Sequence, residues 1–148
     1  MKTVEFIFDF GSPNAYLAHR VIPEVEARTG ATFIYNPCLL GGIFKATGNR
    51  SPFEQFAGVR NKLDYERLEI RRFVERHHVD AFRMNPHFPG NTLALMRGAA
   101  AAQIDGVFEK YHPAMFRAMW VDGRNLNDIN EVAAVLTAAG LDTRKLGN

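Results

Sequence analysis

Residues 1–18 read MKTVEFIFDFGSPNAYLA, and the pattern of apolar residues changes at Gly11-Ser12-Pro13. Before that point the chain alternates: Val4, Phe6 and Phe8 face one way, and Thr3, Glu5 and Ile7 the other. Short, β-branched and aromatic, residues 2–8 form a predicted strand. After it, Ala15, Leu17, Ala18, Val21, Ile22 and Val25 recur at helical spacing. Ser12 is a preferred N-cap, Pro13 costs no hydrogen bond at the first helical position, and Gly30 supplies a stop. Pro23 removes an interior N–H, so a kink or split is expected there. Residues 31–35, ATFIY, make a second short strand before Asn36-Pro37. The first 37 residues thus read strand, helix, strand: a βαβ unit whose first loop runs directly into a helix N-terminus.

Farther along, the chain reads as mostly helical. Beyond Gly41, Gly42 and Gly48, one long stretch is expected from Pro52 to about Val79, with an apolar stripe of Phe56, Val59, Leu63, Ile70, Phe73 and Val74. The loop Asn85-Pro86-His87-Phe88-Pro89-Gly90 precedes an Ala-rich helix at 92–103. A heavier helix follows with Phe108, Tyr111, Met115, Phe116, Met119 and Trp120, broken or bent at Pro113. Asn127 or Asp128 caps a last helix, 132–139, stopped by Gly140. Two strands alone make a marginal sheet, so a completing segment is expected.

With 148 residues the chain suits one ordinary domain, able to bury roughly two-thirds of its unfolded surface. Eighteen basic residues against 16 acidic ones give +2, which supports neither a nucleic-acid footprint nor a polybasic membrane anchor. Arg67, Arg71, Arg72 and Arg76 are matched by Glu66, Glu69 and Glu75, a solvated helix face. The single cysteine, Cys38, excludes an intrachain disulfide framework and reads as a small packing residue. His77, His78 and His87 lack ligand-like pairing, so no metal is expected. Glu5 and Asp9 interrupt the N-terminal apolar stretch, against a signal peptide, and a cytoplasmic protein is expected.

The chemically informative site is Phe8-Asp9-Phe10-Gly11-Ser12-Pro13-Asn14. A helix N-terminus carries unpaired N–H groups and partial positive charge, so it stabilises an anion. A hydroxyl there can donate to a thiolate or oxyanion; equally, Ser12 can be a helix cap and nothing more.

The string FDFGSPNAYLA resembles the opening of the 2-hydroxychromene-2-carboxylate isomerases and the kappa-class glutathione transferases, in the DsbA-like branch of the thioredoxin fold. The likeness continues through Asn36-Pro37, residues 41–49 (GGIFKATGN), Lys62-Leu63-Asp64-Tyr65, residues 85–92 (NPHFPGNT) and Met119-Trp120, so it covers essentially the whole chain. The resemblance implies an α/β, thioredoxin-like fold: an N-terminal βαβ half over 1–40 and a large helical insertion over 41–148. It also implies a glutathione-dependent isomerase from aromatic-compound breakdown, acting on a small aromatic-derived carboxylate. Ser12 would be the catalytic residue that hydrogen-bonds the glutathione thiol. Pro13 and Asn14 would line the glutathione site, although the family usually carries an aromatic at position 14. Asn49 would be a second glutathione contact, its alternative being a plain turn residue after Gly48. Lys45 is a candidate for a carboxylate, or a solvated loop lysine. Residues 12–15 read Ser-Pro-Asn-Ala, so no redox dithiol is present at the helix start.

In the family, a strand-strand-helix half follows that completes the sheet and supplies further glutathione contacts. This sequence stops at 141–148 without it. A shortened copy, a partner chain that completes the sheet, or a degenerate relative are the three explanations. An uncovered strand invites pairing with another chain, and a homodimer is expected. Two rivals stand beside the isomerase: a kappa-type transferase, which consumes glutathione instead of regenerating it, and a non-catalytic helical interaction module that keeps the motif only as a cap.

Overall fold

In a computed structural model, which describes residues 1–146, the predicted βαβ unit is present. Strand β1 (Thr3–Phe8) leads into helix α1 (Pro13–Thr29), which returns to strand β2 (Thr32–Pro37). The strands pair in parallel with Thr3 opposite Thr32 and Phe8 opposite Pro37. Among the described residues the sheet has these two strands. The β2 strand runs two residues past the expected Tyr35. Residues 147 and 148, the end of the expected insertion, lie outside the described part.

The α1 helix starts and stops for the reasons written in its sequence. Ser12, with extended backbone, accepts from the Ala15 N–H at 3.1 Å, and Gly30 ends the helix at φ 69°. Pro23 neither splits α1 nor ends it. Pro113 likewise lies inside an unbroken α6 (Phe108–Trp120). Both rings are on exposed positions. There, the carbonyls four residues back, on His19 and Glu109, can turn toward water when their usual donor is missing.

The helical remainder consists of α2 (Leu40–Thr47), α3 (Pro52–Gln55), α4 (Lys62–His77), α5 (Leu93–Ile104), α6, α7 (Ile129–Ala138) and α8 (Thr143–Leu146). The long stretch expected from Pro52 is two helices. Residues 56–61 form turns, Asn61 adopts φ 62°, and Val59 is exposed instead of joining the stripe. Asp128, with its carboxylate accepting from Asn130 N–H, caps α7, which begins three residues before the expected Val132. Pairs Lys62–Glu66, Arg67–Asp64 and Arg72–Glu69 line the solvent side of α4. Their exposure makes each worth little to stability.

The sheet presents its aromatic face to α1 and α6. Phe8 is in ring contact with Phe10, Phe108 and Phe116, and Tyr35 with Phe108 and His112. The reverse face leaves Ile7 and Ile34 exposed. Small residues Gly98, Ala99 and Ala102 are buried along α5, and Tyr111 of α6 donates its hydroxyl to the Leu95 carbonyl at 2.9 Å. Trp120, at the end of α6, donates its indole N–H to the Phe10 carbonyl at 2.7 Å. Buried Asn85 donates to the Met119 and Arg124 carbonyls, tying the 85–92 loop to the same helix end. No described buried side-chain polar atom lacks a partner. No described helix is long and apolar enough to cross a membrane.

A small cluster of rings packs where α1, β2 and α6 meet. His19 Nδ1 lies 2.8 Å from the Tyr35 hydroxyl, and the His19 ring stacks on Phe116 and abuts His112. Burial first, then the neighbouring His112 and Arg20 charges, pushes the His19 imidazole down from 6.5 to about 4. Burial lowers His112 as well. In the window between those His19 values the unfolded chain takes up a proton that the folded chain refuses. Stability is therefore full above pH 6.5, falls as pH drops, and levels off with respect to this group near pH 4. Thermal unfolding across this range should show the decline, and His19→Gln should flatten it. An unchanged slope in the variant would show that His19 is not its source.

Candidate functional site

Two turns meet at the C-terminal ends of the strands, and Asp9 joins them. Its carboxylate is buried, at 4% exposure. Oδ1 accepts the Gly11 N–H at 2.8 Å and Oδ2 accepts the Leu40 N–H at 2.9 Å, while its main-chain carbonyl accepts the Ser12 N–H at 3.0 Å. The β1–α1 turn and the start of α2 are thus held by one side chain.

Counting the donors at the start of α1 shows what is left for a ligand. Gly11 and Ser12 N–H groups go to Asp9, Pro13 has none, and Ala15 N–H goes to Ser12 Oγ. Tyr16 N–H goes to the Ser12 carbonyl. Among the described residues, the Asn14 N–H and the Ser12 hydroxyl hydrogen have no partner. Both belong to the positive end of a 17-residue helix. Ser12 can cap with its lone pair and donate with its hydrogen simultaneously, so the cap does not exclude the other reading of this serine.

These donors border a cleft of about 780 Å³. All five residues singled out from the sequence, Ser12, Pro13, Asn14, Lys45 and Asn49, line it. Asn49 is also the turn residue of its alternative reading: its N–H goes to the Phe44 carbonyl, and its Oδ1 accepts the Arg50 N–H at 2.8 Å. Its side-chain amide hydrogens stay available. Phe44, Phe53, Phe56 and Phe88 give the cleft an apolar wall, with Phe53 edge-on to Phe88 at 5.1 Å. The Phe88–Pro89 peptide on this wall is cis. Among the described residues, Lys45 and Arg50 make no ion pair, whereas Glu66 on the same cleft is bridged to Lys62 at 3.3 Å. Among the described residues the cleft therefore offers helix-start donors, an aromatic lining, two cations without an ion pair and, besides the buried Asp9, one such acid, Glu54.

Comparison with known proteins agrees with the geometry. The DSBA-like thioredoxin domain matches residues 3–148. The chain belongs to that family. It is 28% identical over 147 residues to a 2-hydroxychromene-2-carboxylate isomerase of Sphingobium xenophagum, covering 98% of this chain and 72% of the relative. The enzyme of the same name from Pseudomonas putida is 28% identical over 121 residues, 81% of this chain and 57% of that one. Glutathione S-transferase kappa 1 of Caenorhabditis elegans is 40% identical over 53 residues, 35% of this chain and 24% of its own. A solved structure of a 2-hydroxychromene-2-carboxylate isomerase superposes with a TM-score of 0.73 at 26% identity, over 97% of this chain and 68% of that one. The family's thioredoxin fold is thus the fold of this chain.

Sequence reading gave Asp9, Arg50, Phe53 and Thr92, which line the same cleft, no role in the site. For Asp9 a signal was available: an acid between two phenylalanines, in a stretch otherwise built to be buried, requires partners. The others are brought to the cleft by turns that leave no period to read. Cys38 is half-buried beside Asp9, and burial, then the Asp9 charge, raises its thiol above the usual value. Among the described residues no group of three or more His, Cys, Asp or Glu could hold a metal ion.

Gly11 tests how tightly this junction is built. A Cβ there would lie 2.9 Å from the Thr92 methyl and 3.3 Å from Asp9 Oδ1. Thr92 is itself buried and has little room to retreat. Gly11→Ala should lower stability by about 1–3 kcal/mol. Adding Thr92→Ser, which removes the methyl, should recover much of the loss in thermal unfolding. No recovery would place the strain elsewhere.

Proposed function

We propose that this protein is a glutathione-dependent isomerase of the 2-hydroxychromene-2-carboxylate type. The observation that carries the reading is the pair of unpaired donors, Ser12 Oγ–H and Asn14 N–H, at residues that line one cleft together with Lys45 and Arg50. The relatives' names support the substrate class, and the short likeness to a kappa transferase supports a role for glutathione. Since the chain spans 72% and 57% of the two bacterial relatives' lengths, their whole-protein activity comes to it only as a proposal.

The donor set fits a thiol that must ionise: a hydroxyl hydrogen, a backbone N–H and a helix positive end all favour its charged form. Pro13 packs beneath the start of the helix, and Asn49, through its free amide hydrogens, would hold the peptide portion. When bound, glutathione supplies a thiolate that adds to the conjugated substrate, makes rotation about the former double bond cheap, and departs unchanged. Ser12 and Asn14 would steady the sulfur's charge before addition and again on departure, and Pro13 leaves no competing N–H at that point. Lys45 and Arg50 would fix the substrate carboxylate. Phe44 and Phe53 would flank its ring and exclude water, which strengthens each of these electrostatic contacts.

Calorimetric titration with glutathione, followed by turnover of 2-hydroxychromene-2-carboxylate, tests this. Saturable binding, isomerisation that leaves glutathione undiminished, and a loss of about 10²–10³ in kcat for Ser12→Ala are expected. No isomerisation at saturating glutathione would overturn the proposal. Stoichiometric consumption of glutathione would replace it with a transferase.

A further inference from the structure

The α2 helix begins without a cap of its own. Leu39 occupies its N-cap position and has no side-chain oxygen to offer, and none of the helix's residues is fully buried. The oxygen that a Ser or Asp would ordinarily provide comes from Asp9, 31 residues earlier, whose Oδ2 receives the Leu40 N–H. The second oxygen of the same carboxylate holds Gly11, next to Ser12. At its far end α2 carries Lys45 and leads through Gly48 into Asn49 and Arg50. The wall with the cations is therefore fastened to the floor with the thiol donors through one buried side chain.

We propose that Asp9 is the positioning residue of this cleft, its carboxylate bridging the start of α1 to the start of α2 and so fixing the separation between Ser12 and the Lys45–Arg50 wall. The inference rests on the isomerase reading for its kinetic consequence, but the bridge itself can be measured without it. A carboxylate is suited to the task because both oxygens accept. Asparagine offers one acceptor, so in Asp9→Asn one of the two N–H groups loses its partner. The bridge also satisfies one N–H of the β1–α1 turn and one at the start of α2, both out of full contact with water, where an unmet donor is costly.

Leu40→Pro removes the second bond without changing the Asp9 side chain, and its ring Cδ, standing where the amide hydrogen was, pushes Oδ2 away from the start of α2. Proline is favoured at a first helical position, and Leu39, at φ −93° and ψ 98°, already has the extended backbone that precedes proline. Leu40→Ala is the control, because it removes the same side chain from the cleft but keeps the N–H. Relative to Leu40→Ala, Leu40→Pro should raise KM for 2-hydroxychromene-2-carboxylate about tenfold, with a smaller effect on kcat, because the Ser12 N–H stays on the Asp9 main-chain carbonyl. Asp9→Asn should speed hydrogen exchange about tenfold or more at whichever of the Gly11 and Leu40 amides the new side-chain nitrogen faces. Combining it with Leu40→Pro should raise KM no further than the larger single effect.

Equal kinetics for Leu40→Pro and Leu40→Ala would overturn the proposal even if all variants fold. If Asp9→Asn does not fold, the proline–alanine comparison decides alone. If the wild-type chain neither binds glutathione nor turns over substrate, the isomerase reading falls. The bridge is then judged by Gly11 and Leu40 exchange in Asp9→Asn: unchanged protection at both refutes it, and lost protection at either upholds it.

Discussion

The indole N–H of Trp120 and the carbonyl of Phe10 stand 110 residues apart in sequence and 2.7 Å apart in the fold, both residues sealed from solvent. This hydrogen bond joins the end of α6 to the turn that carries Ser12. Without it the carbonyl would be buried and unsatisfied, at a cost of about 1–3 kcal/mol before any packing is lost. The aromatic layer organises around it. Phe8, Phe10, Phe116 and Trp120 belong to one continuous core, so the two-stranded sheet gains the hydrophobic cover that a bare pair of strands lacks. The helical part is thus a structural partner of the βαβ unit and not merely an appendage.

The βαβ unit was readable because its signals are local: alternation in residues 2–8, a Ser-Pro start and a Gly30 stop. Several helical segments were readable from apolar spacing for the same reason. Sequence reading failed where a local rule met a tertiary setting. Pro23 and Pro113 occupy exposed sides of helices whose other faces are buried, and neither helix is split there. The stripe drawn through Val59 and Leu63 ignored the turn at Asn61, because its left-handed backbone carries no apolar period. At the site, Ser12, Pro13 and Asn14 were visible as a helix start, and Lys45 and Asn49 through family likeness. The Asp9–Leu40 and Trp120–Phe10 bonds were not visible, since a hydrogen bond spanning 31 or 110 residues writes no pattern into either segment.

The electrostatic character of the cleft is a remainder left after the fold has satisfied itself. Most first-turn donors of α1 are taken by Asp9 and by the Ser12 side chain. What faces the cleft is one N–H and one hydroxyl hydrogen. Lys45, Arg50 and the rings of Phe44, Phe53, Phe56 and Phe88 line the same cleft. Such a distribution suits a reaction in which charge develops on sulfur at the floor while a carboxylate is held elsewhere.

The most direct measurement is the ultraviolet absorbance of the thiolate when glutathione is bound at neutral pH, where an ordinary thiol of pKa about 8.5 is mostly protonated. A thiolate band on binding to the wild-type protein, lost in Ser12→Ala at saturating glutathione, is the predicted result. Bound glutathione that stays protonated in the wild type, or an equal band in both proteins, would contradict the role assigned to Ser12.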